Sequence, residues 1–321
     1  DSGRVWLQAE SVDAKPWLGR WMKDNTTLRT ADFSLQAWVN LKGGVPDSGD
    51  LLLTKGSARW QAGQEPHQLT VDNLTAHLFR TGKGWALSVP RTGLATDGVA
   101  WPQGSLSLYW QPEEDHLLRA AETSEIRLRA TRLDLQRIAP LVPLLAPLAP
   151  ELTGQWRTLQ PTGDVDSLAI DFSLQHPEQS RFLASWHNLS WQAEKQLPAV
   201  SYLSGKGRGR FDQGEISLSA GPQNLTVGDT FKAPLEMQGV TGTFRWDTRD
   251  GNLLLSGENV VASARSLKAA GNFRYQQRKG GQPRLDILAG MNVTDAGDAW
   301  RYFPHHLMGK GLTDYLSGAI K

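Results

Sequence analysis

Seven histidines are the first residues in this sequence whose type suits proton transfer or metal binding. His67, His77, His116, His176 and His187 stand singly in separate strands or turns. His305 and His306 are adjacent, whereas two ligands on one helical face need i,i+4 spacing. Neither HExxH nor GxSxG occurs, so no zincin helix or nucleophile elbow is spelled out. The absence of Cys removes thiolate nucleophiles, thiolate metal sites and disulfides. Asp164 and Asp166 (GDVDS) have the spacing of a carboxylate pair, but their Gly-bounded setting is that of a turn. Gly205–Phe211 (GKGRGRF) comes nearest to a phosphate loop. It lacks P-loop spacing, and it does not lead from a strand into a helix as a dinucleotide fingerprint does. Read as a strand, it places Lys206, Arg208 and Arg210 on one face and Gly205, Gly207, Gly209 and Phe211 on the other. That is a solvated basic row on a sharply curving strand, with lipid-headgroup binding as the sharper alternative. These residues specify no enzyme, metal site or cofactor.

The elements around them are short and repetitive. The 321 residues carry a net charge of +1, which gives no global field for nucleic acid. The 32 Gly punctuate many strands, and 13 Trp is well above ordinary use. The chain opens at Asp1 and stops at Lys321 inside a helical pattern, the expectation being a piece of a longer protein. No run reaches the ~18 apolar residues of a membrane-spanning helix. Ile138–Leu148 (IAPLVPLLAPL) comes nearest, but Pro140, Pro143 and Pro147 prevent a long helix. Its plainer reading is a cap over one end of a sheet, and its functional one a segment against lipid at a groove edge.

A strand, an Asp and a short apolar helix recur three times: Val5–Trp21 around Asp13, Ile126–Leu148 around Asp134, and Leu285–Tyr315 around Asp295. Each Asp is placed to cap a helix start. In the last copy Trp300, Phe303, Leu307, Met308 and Leu312 follow helical spacing, with Pro304 and Gly309/Gly311 splitting the stripe. This rhythm predicts modules at about 1–134 and 135–295, with the next starting at 296–321.

Between the junctions, short strands are predicted: 33–41, 51–54, 58–62, 68–71, 74–80, 85–89 and 106–110. After the second junction come 155–159, 168–175, 182–191, 205–211, 215–219, 235–238, 242–247, 252–256, 269–276 and 284–289. Segments 205–221, 241–257 and 269–290 share one hairpin pattern. Nearly every strand has one apolar and one polar face, as Leu168/Ile170/Phe172 against Ala169/Asp171/Ser173. That is the pattern of an antiparallel sheet solvated on one side. Three helical segments are too few to cover the apolar face. Either a second sheet covers it or the sheet curls into a trough; fold frequency alone favours a sandwich or a pair of them.

LRATRLDLQRIAPLVPLL (128–145) and MNVTDAGDAWRYFPHHLMGKGLTDYLSGAI (291–320) resemble the AsmA-like family, in particular its long envelope-spanning member. The resemblance implies a mainly β fold, a long curved antiparallel sheet forming an open hydrophobic trough, in place of the sandwich pair. It implies the periplasmic part of a Gram-negative protein anchored in the inner membrane, with both membranes reached through regions outside this sequence. It implies phospholipids as partners, acyl chains inside and headgroups outside, and it carries no catalytic residues. The wall residues expected on that reading are Leu35, Val39, Leu128, Leu168, Ile170, Phe172, Ile216 and Leu218. Leu141, Leu144, Leu145, Trp300, Phe303 and Leu307 are expected at a rim or cap. The alternatives are a non-conducting β scaffold and, from the Trp content, a glycan-binding module.

Overall fold

The computed structural model describes residues 2–18, 26–112, 123–145, 150–173, 176–194, 199–225 and 233–302, with 309, 311, 314, 315 and 318. Among the described residues the fold is mainly β, with eighteen antiparallel strands and a few short helices. The chain divides into two compact units, Asp1–Arg157 with Asp164–Phe182 and Thr158–Gly163 with Leu183–Lys321.

Unit 1 holds β1 (Ser2–Asp13), β2 (Thr26–Lys42), β3 (Val45–Ala62), β4 (Glu65–Thr81), β5 (Gly84–Val89) and β6 (Leu94–Thr96). It continues with β7 (Val99–Ala100), β8 (Leu106–Pro112), β9 (Thr123–Asp134) and most of β10 (Thr162–Ser173). β1 to β4 pair in sequence; β4 then pairs with β5 along one half and β6 along the other. β5 joins β8, β8 joins β9, and β9 joins β10. Unit 2 holds most of β11 (Arg181–Trp191), then β12 (Val200–Arg210), β13 (Gln213–Ala220), β14 (Gln223–Leu225) and β15 (Leu235–Asp247). β16 (Leu253–Ala264), β17 (Leu267–Gln277) and β18 (Arg284–Val293) complete it. β13 and β14 both pair with β15, and β15 to β18 pair in sequence.

Several predicted strands prove to be halves of one. β3 joins 51–54 to 58–62, β4 joins 68–71 to 74–80, and β15 joins 235–238 to 242–247. The apparent breaks are mid-strand bends. Ser11, Asn73 and Arg132 in unit 1, and Asn188, Tyr202 and Asn259 in unit 2, have φ between +50° and +56° inside strands. Each sits at an interruption that frees a backbone group from the ladder, as a β-bulge does. At four of these positions a side chain on the neighbouring strand accepts the N–H. Ser11 N donates to Ser34 Oγ (3.1 Å), Asn188 N to Ser204 Oγ (3.3 Å), Tyr202 N to Ser190 Oγ (2.9 Å), and Asn259 N to Asn272 Oδ1 (2.8 Å). In unit 1 one irregularity on each of the β1–β2, β2–β3 and β3–β4 pairings lies beside the row Ala9–Leu35–Leu53–Leu74. That transverse crease crosses β1 to β4 of unit 1.

The junction Asp residues cap as expected. Asp13 Oδ1 accepts from Lys15 N (2.9 Å), Asp134 Oδ1 from Gln136 N (2.8 Å) and Arg137 N (3.3 Å), and Asp295 Oδ1 from Gly297 N (2.9 Å). The helices they open are α1 (Lys15–Leu18), α2 (Leu135–Ile138) with a 3-10 extension Ala139–Leu145, and a 3-10 turn Ala296–Tyr302. One strand expectation and one turn expectation are corrected. Residues 155–159 belong to a further helix, α3 (Pro150–Leu159): Pro150 presets its first turn and Glu151 complements the dipole there. Asp164 and Asp166 lie within β10 rather than a turn, and Asp164 pairs with Asp134 across β9.

Among the described residues, neither unit forms the sandwich favoured on fold frequency. Leu28, Ala31, Ala58 and Trp60 form a buried cluster at one side of the unit 1 crease, with Leu141 and Leu144 packed against it. Elsewhere most apolar-face side chains of the described strands are half-buried, while those on β1 and β18, such as Val5 (51%) and Ile287 (62%), are exposed.

Candidate functional site

Strand register gathers the expected wall residues of unit 1 on one face. Val5, Val39, Gly49, Leu78, Leu87, Leu108, Leu128 and Ile170 are successive cross-strand partners, a row running across eight strands. Val39, Leu128 and Ile170 thus share one row although they are up to 131 residues apart in sequence (170 − 39). Leu35, Leu168 and Phe172 occupy neighbouring rows of the same face: Leu35 beside Leu53, Leu168 beside Ala130, Phe172 beside Ile126. Neighbouring strands lie about 4.8 Å apart, so each row offers an apolar contact at nearly every step. All six residues are half-buried.

The reverse face of the same strands is polar. Trp38, Asp50, His77, Ser88, Ser107 and Arg129 form its corresponding row. Asp50 Oδ1 lies 2.7 Å from His77 Nδ1, and Arg129 bonds both Asp171 (2.5 Å) and the Ile170 carbonyl (3.0 Å). Arg127 pairs with Glu125 (2.7 Å), which raises the guanidinium pKa above its usual value, and stacks over Tyr109 at 5.0 Å.

Unit 2 repeats the two-faced plan with different residues. Gly207, Ile216, Phe244, Gly257, Phe273 and Ile287 are successive partners on the apolar face. Leu218 lies in the next row, between Gly205 and Gly242. Phe244 and Phe273 flank Gly257, their ring centroids 6.1 Å apart. The polar face carries Arg208, Glu215, Arg245, Ser256, Arg274 and Asp286 in one row. Arg245 bridges Glu215 (2.8 Å) and Glu258, and Arg208 reaches Glu215 at 3.6 Å. Hydrogen bonding to Glu215, then Glu258, raises the Arg245 pKa. The basic strand is therefore part of a cross-strand ladder of alternating charge.

Among the rim candidates, Leu141 and Leu144 pack on the buried cluster. Trp300 is half-buried with the Arg301 guanidinium 5.3 Å from its ring. Phe303, Leu307 and the Leu145 side chain lie outside the described residues, as do His116, His305 and His306. His67 pairs with Asp97 (2.9 Å) and stacks on Trp60, and His176 lies 3.5 Å from Glu178. No group of three or more potential metal ligands assembles among the described residues. No described helix is long and apolar enough to cross a membrane.

Sequence reasoning missed the crease and the pairing of Gly257 with an aromatic ring. Both depend on cross-strand register, which is not visible along a single strand.

A two-faced single sheet of this kind is what the AsmA-like resemblance implies, and the comparisons narrow it. The family model described as YhdP protein matches residues 1–321. The chain belongs to the YhdP family. It is 43% identical over its full 321 residues to the intermembrane phospholipid transporter YhdP of Escherichia coli (strain K12). This YhdP-family chain spans about a quarter of the length of that relative. No solved structure matches it.

Proposed function

We propose that this chain is a segment of an envelope bridge that conducts phospholipid acyl chains along its apolar face, between inner and outer membrane. The observation that carries the reading is the half-buried apolar row across eight strands of unit 1, backed by a polar, ion-paired face. A lone sheet with one apolar side leaves that side to be covered by something apolar. An acyl chain suits it, because burial stabilises each CH₂ by roughly 0.8 kcal/mol without directional bonds. Contacts made ahead along a row offset those released behind, so movement requires no chemistry. Headgroups would stay in water beyond the strand ends. The chain would lie in the periplasm, with attachment to both membranes supplied by other regions of the protein. The named relative transports phospholipids, which supports this class of cargo.

The test places one charge in the wall of the full-length protein. Ile170→Asp and Leu218→Asp each put a carboxylate where an acyl chain would pass, at a cost of several kcal/mol for an unpaired charge out of water. Both variants are expected to accumulate normally yet fail to complement loss of the transporter. Full complementation by both would overturn the proposal.

A further inference from the structure

The apolar face of unit 2 contains glycines that backbone geometry does not require. Gly205, Gly214 and Gly257 lie outside the positive-φ region, so other L-residues could adopt their conformations. What excludes a side chain is the space above them. A Cβ on Gly257 would fall 2.3 Å from Phe273 Cε1 and 2.8 Å from Val260 Cγ2. On Gly214 it would meet Trp246 Cη2 at 2.4 Å, and on Gly205 Trp186 Cζ2 at 3.0 Å. Each glycine therefore leaves room for a ring to lie close against the sheet. At Gly257 the obstacle is entirely side chain, whereas backbone oxygens also approach Gly205 (2.6 Å) and Gly214 (2.9 Å).

We infer that Gly257 is a specificity-determining position: by letting the Phe273 ring lie flat, it sets how thick an acyl chain unit 2 admits. The inference rests on the acyl-chain reading above. Moving the ring from 2.3 Å to an ordinary 3.4 Å contact displaces it by about 1.1 Å. Val260 crowds the same Cβ position and the Phe244 ring borders Phe273 with centroids 6.1 Å apart, which leaves the space above the sheet for the displaced ring. The wall then projects by a large part of a methyl group. A straight polymethylene chain can pass such a step; a chain with methyl branches at mid-length has that much less clearance.

The test uses the full-length protein and measures transfer of two lipids from donor vesicles, dimyristoylphosphatidylcholine with straight chains and diphytanoylphosphatidylcholine with methyl-branched chains. Gly257→Ala is expected to lower branched-chain transfer about tenfold, the discrimination one misplaced methyl group gives in an apolar site, and to leave straight-chain transfer within about twofold. Adding Phe273→Leu is expected to restore the branched lipid. Equal loss of both lipids would make Gly257 a folding residue, and no loss would show that the ring does not border the path; either overturns the inference. Ile170→Asp, measured alongside, separates the premises: if it transfers both lipids normally, the acyl-chain reading itself fails.

Discussion

Unit 1 and unit 2 solve the same problem, an apolar face without a second layer, with different side chains. In unit 1 the longest row is aliphatic, with Val39, Leu78, Leu87, Leu108, Leu128 and Ile170 interrupted only by Gly49. In unit 2 the corresponding row runs Gly207, Ile216, Phe244, Gly257, Phe273 and Ile287, with a phenyl ring on either side of Gly257. Branched aliphatics fill their own volume and repack readily. A ring seated over glycine has one position, so the wall it makes is flatter and less forgiving. The units also differ in anchorage. Unit 1 has a buried cluster capped by Leu141 and Leu144, whereas the buried apolar residues found in unit 2 are Leu203 and Ala264. Its stability must rest more on strand pairing.

The largest expected effect tests that difference in anchorage. Trp60 is 2% exposed at the centre of the unit 1 cluster. Trp60→Ala is expected to destabilise unit 1 by about 3–5 kcal/mol, the usual cost of a large cavity. Trp60→Phe should cost less, because it leaves a smaller cavity while removing the same unpartnered indole N–H. Hydrogen exchange resolved by segment should show faster exchange throughout β2 to β4, with β15 to β18 unchanged. Equal loss of protection in unit 2 would contradict separate anchorage.

The next test asks whether the crease is one device in both units. Ser34→Ala strands the N–H of Ser11, and Asn272→Ala that of Asn259. Both sites are exposed, so water can replace part of each bond, and each variant should lose about 1 kcal/mol. Urea unfolding gives the magnitude, and exchange at the Ser11 and Asn259 amides gives its location. A marked loss in one unit alone would mean that the bends have different supports.

Much of this was legible in the sequence, and the failures have physical causes. Alternation put Leu168, Ile170 and Phe172 on one face because side chains in a strand change sides at each residue. The Asp caps were legible because an N-cap acts on amides two or three residues away. What failed depended on distant partners. Asn73 interrupts the pattern of β4 as a turn residue would, but pairing with β3 carries the strand through it. The strand expected at 155–159 is instead the last half of a helix that Pro150 and Glu151 start upstream. The trough rather than a sandwich came from family resemblance, since face-counting shows that a surface is apolar without showing what covers it.

The smallest effect concerns the polar face at the β15–β16 turn of unit 2. Arg249 hydrogen-bonds the Asp247 carboxylate through its side chain (Nε to Oδ1, 2.9 Å) and its backbone N–H (3.1 Å). The side-chain bond is the leading cause that lowers Asp247 from an ordinary 3.8 to about 2, with the backbone bond second. Because the folded value lies below the unfolded one, the charged carboxylate favours the closed turn above about pH 3.8, and that contribution disappears as pH falls towards 2. The group is close to solvent, so screening keeps the effect small. Amide exchange across the Asp247–Asn252 turn should therefore gain an acid-dependent opening over that interval, beyond the intrinsic pH dependence of exchange. Asp247→Asn should remove it. No comparable signal is expected at the Gly43–Gly44 turn of unit 1, whose residues carry no carboxylate, and an identical acid response there would assign the effect to general acid unfolding instead.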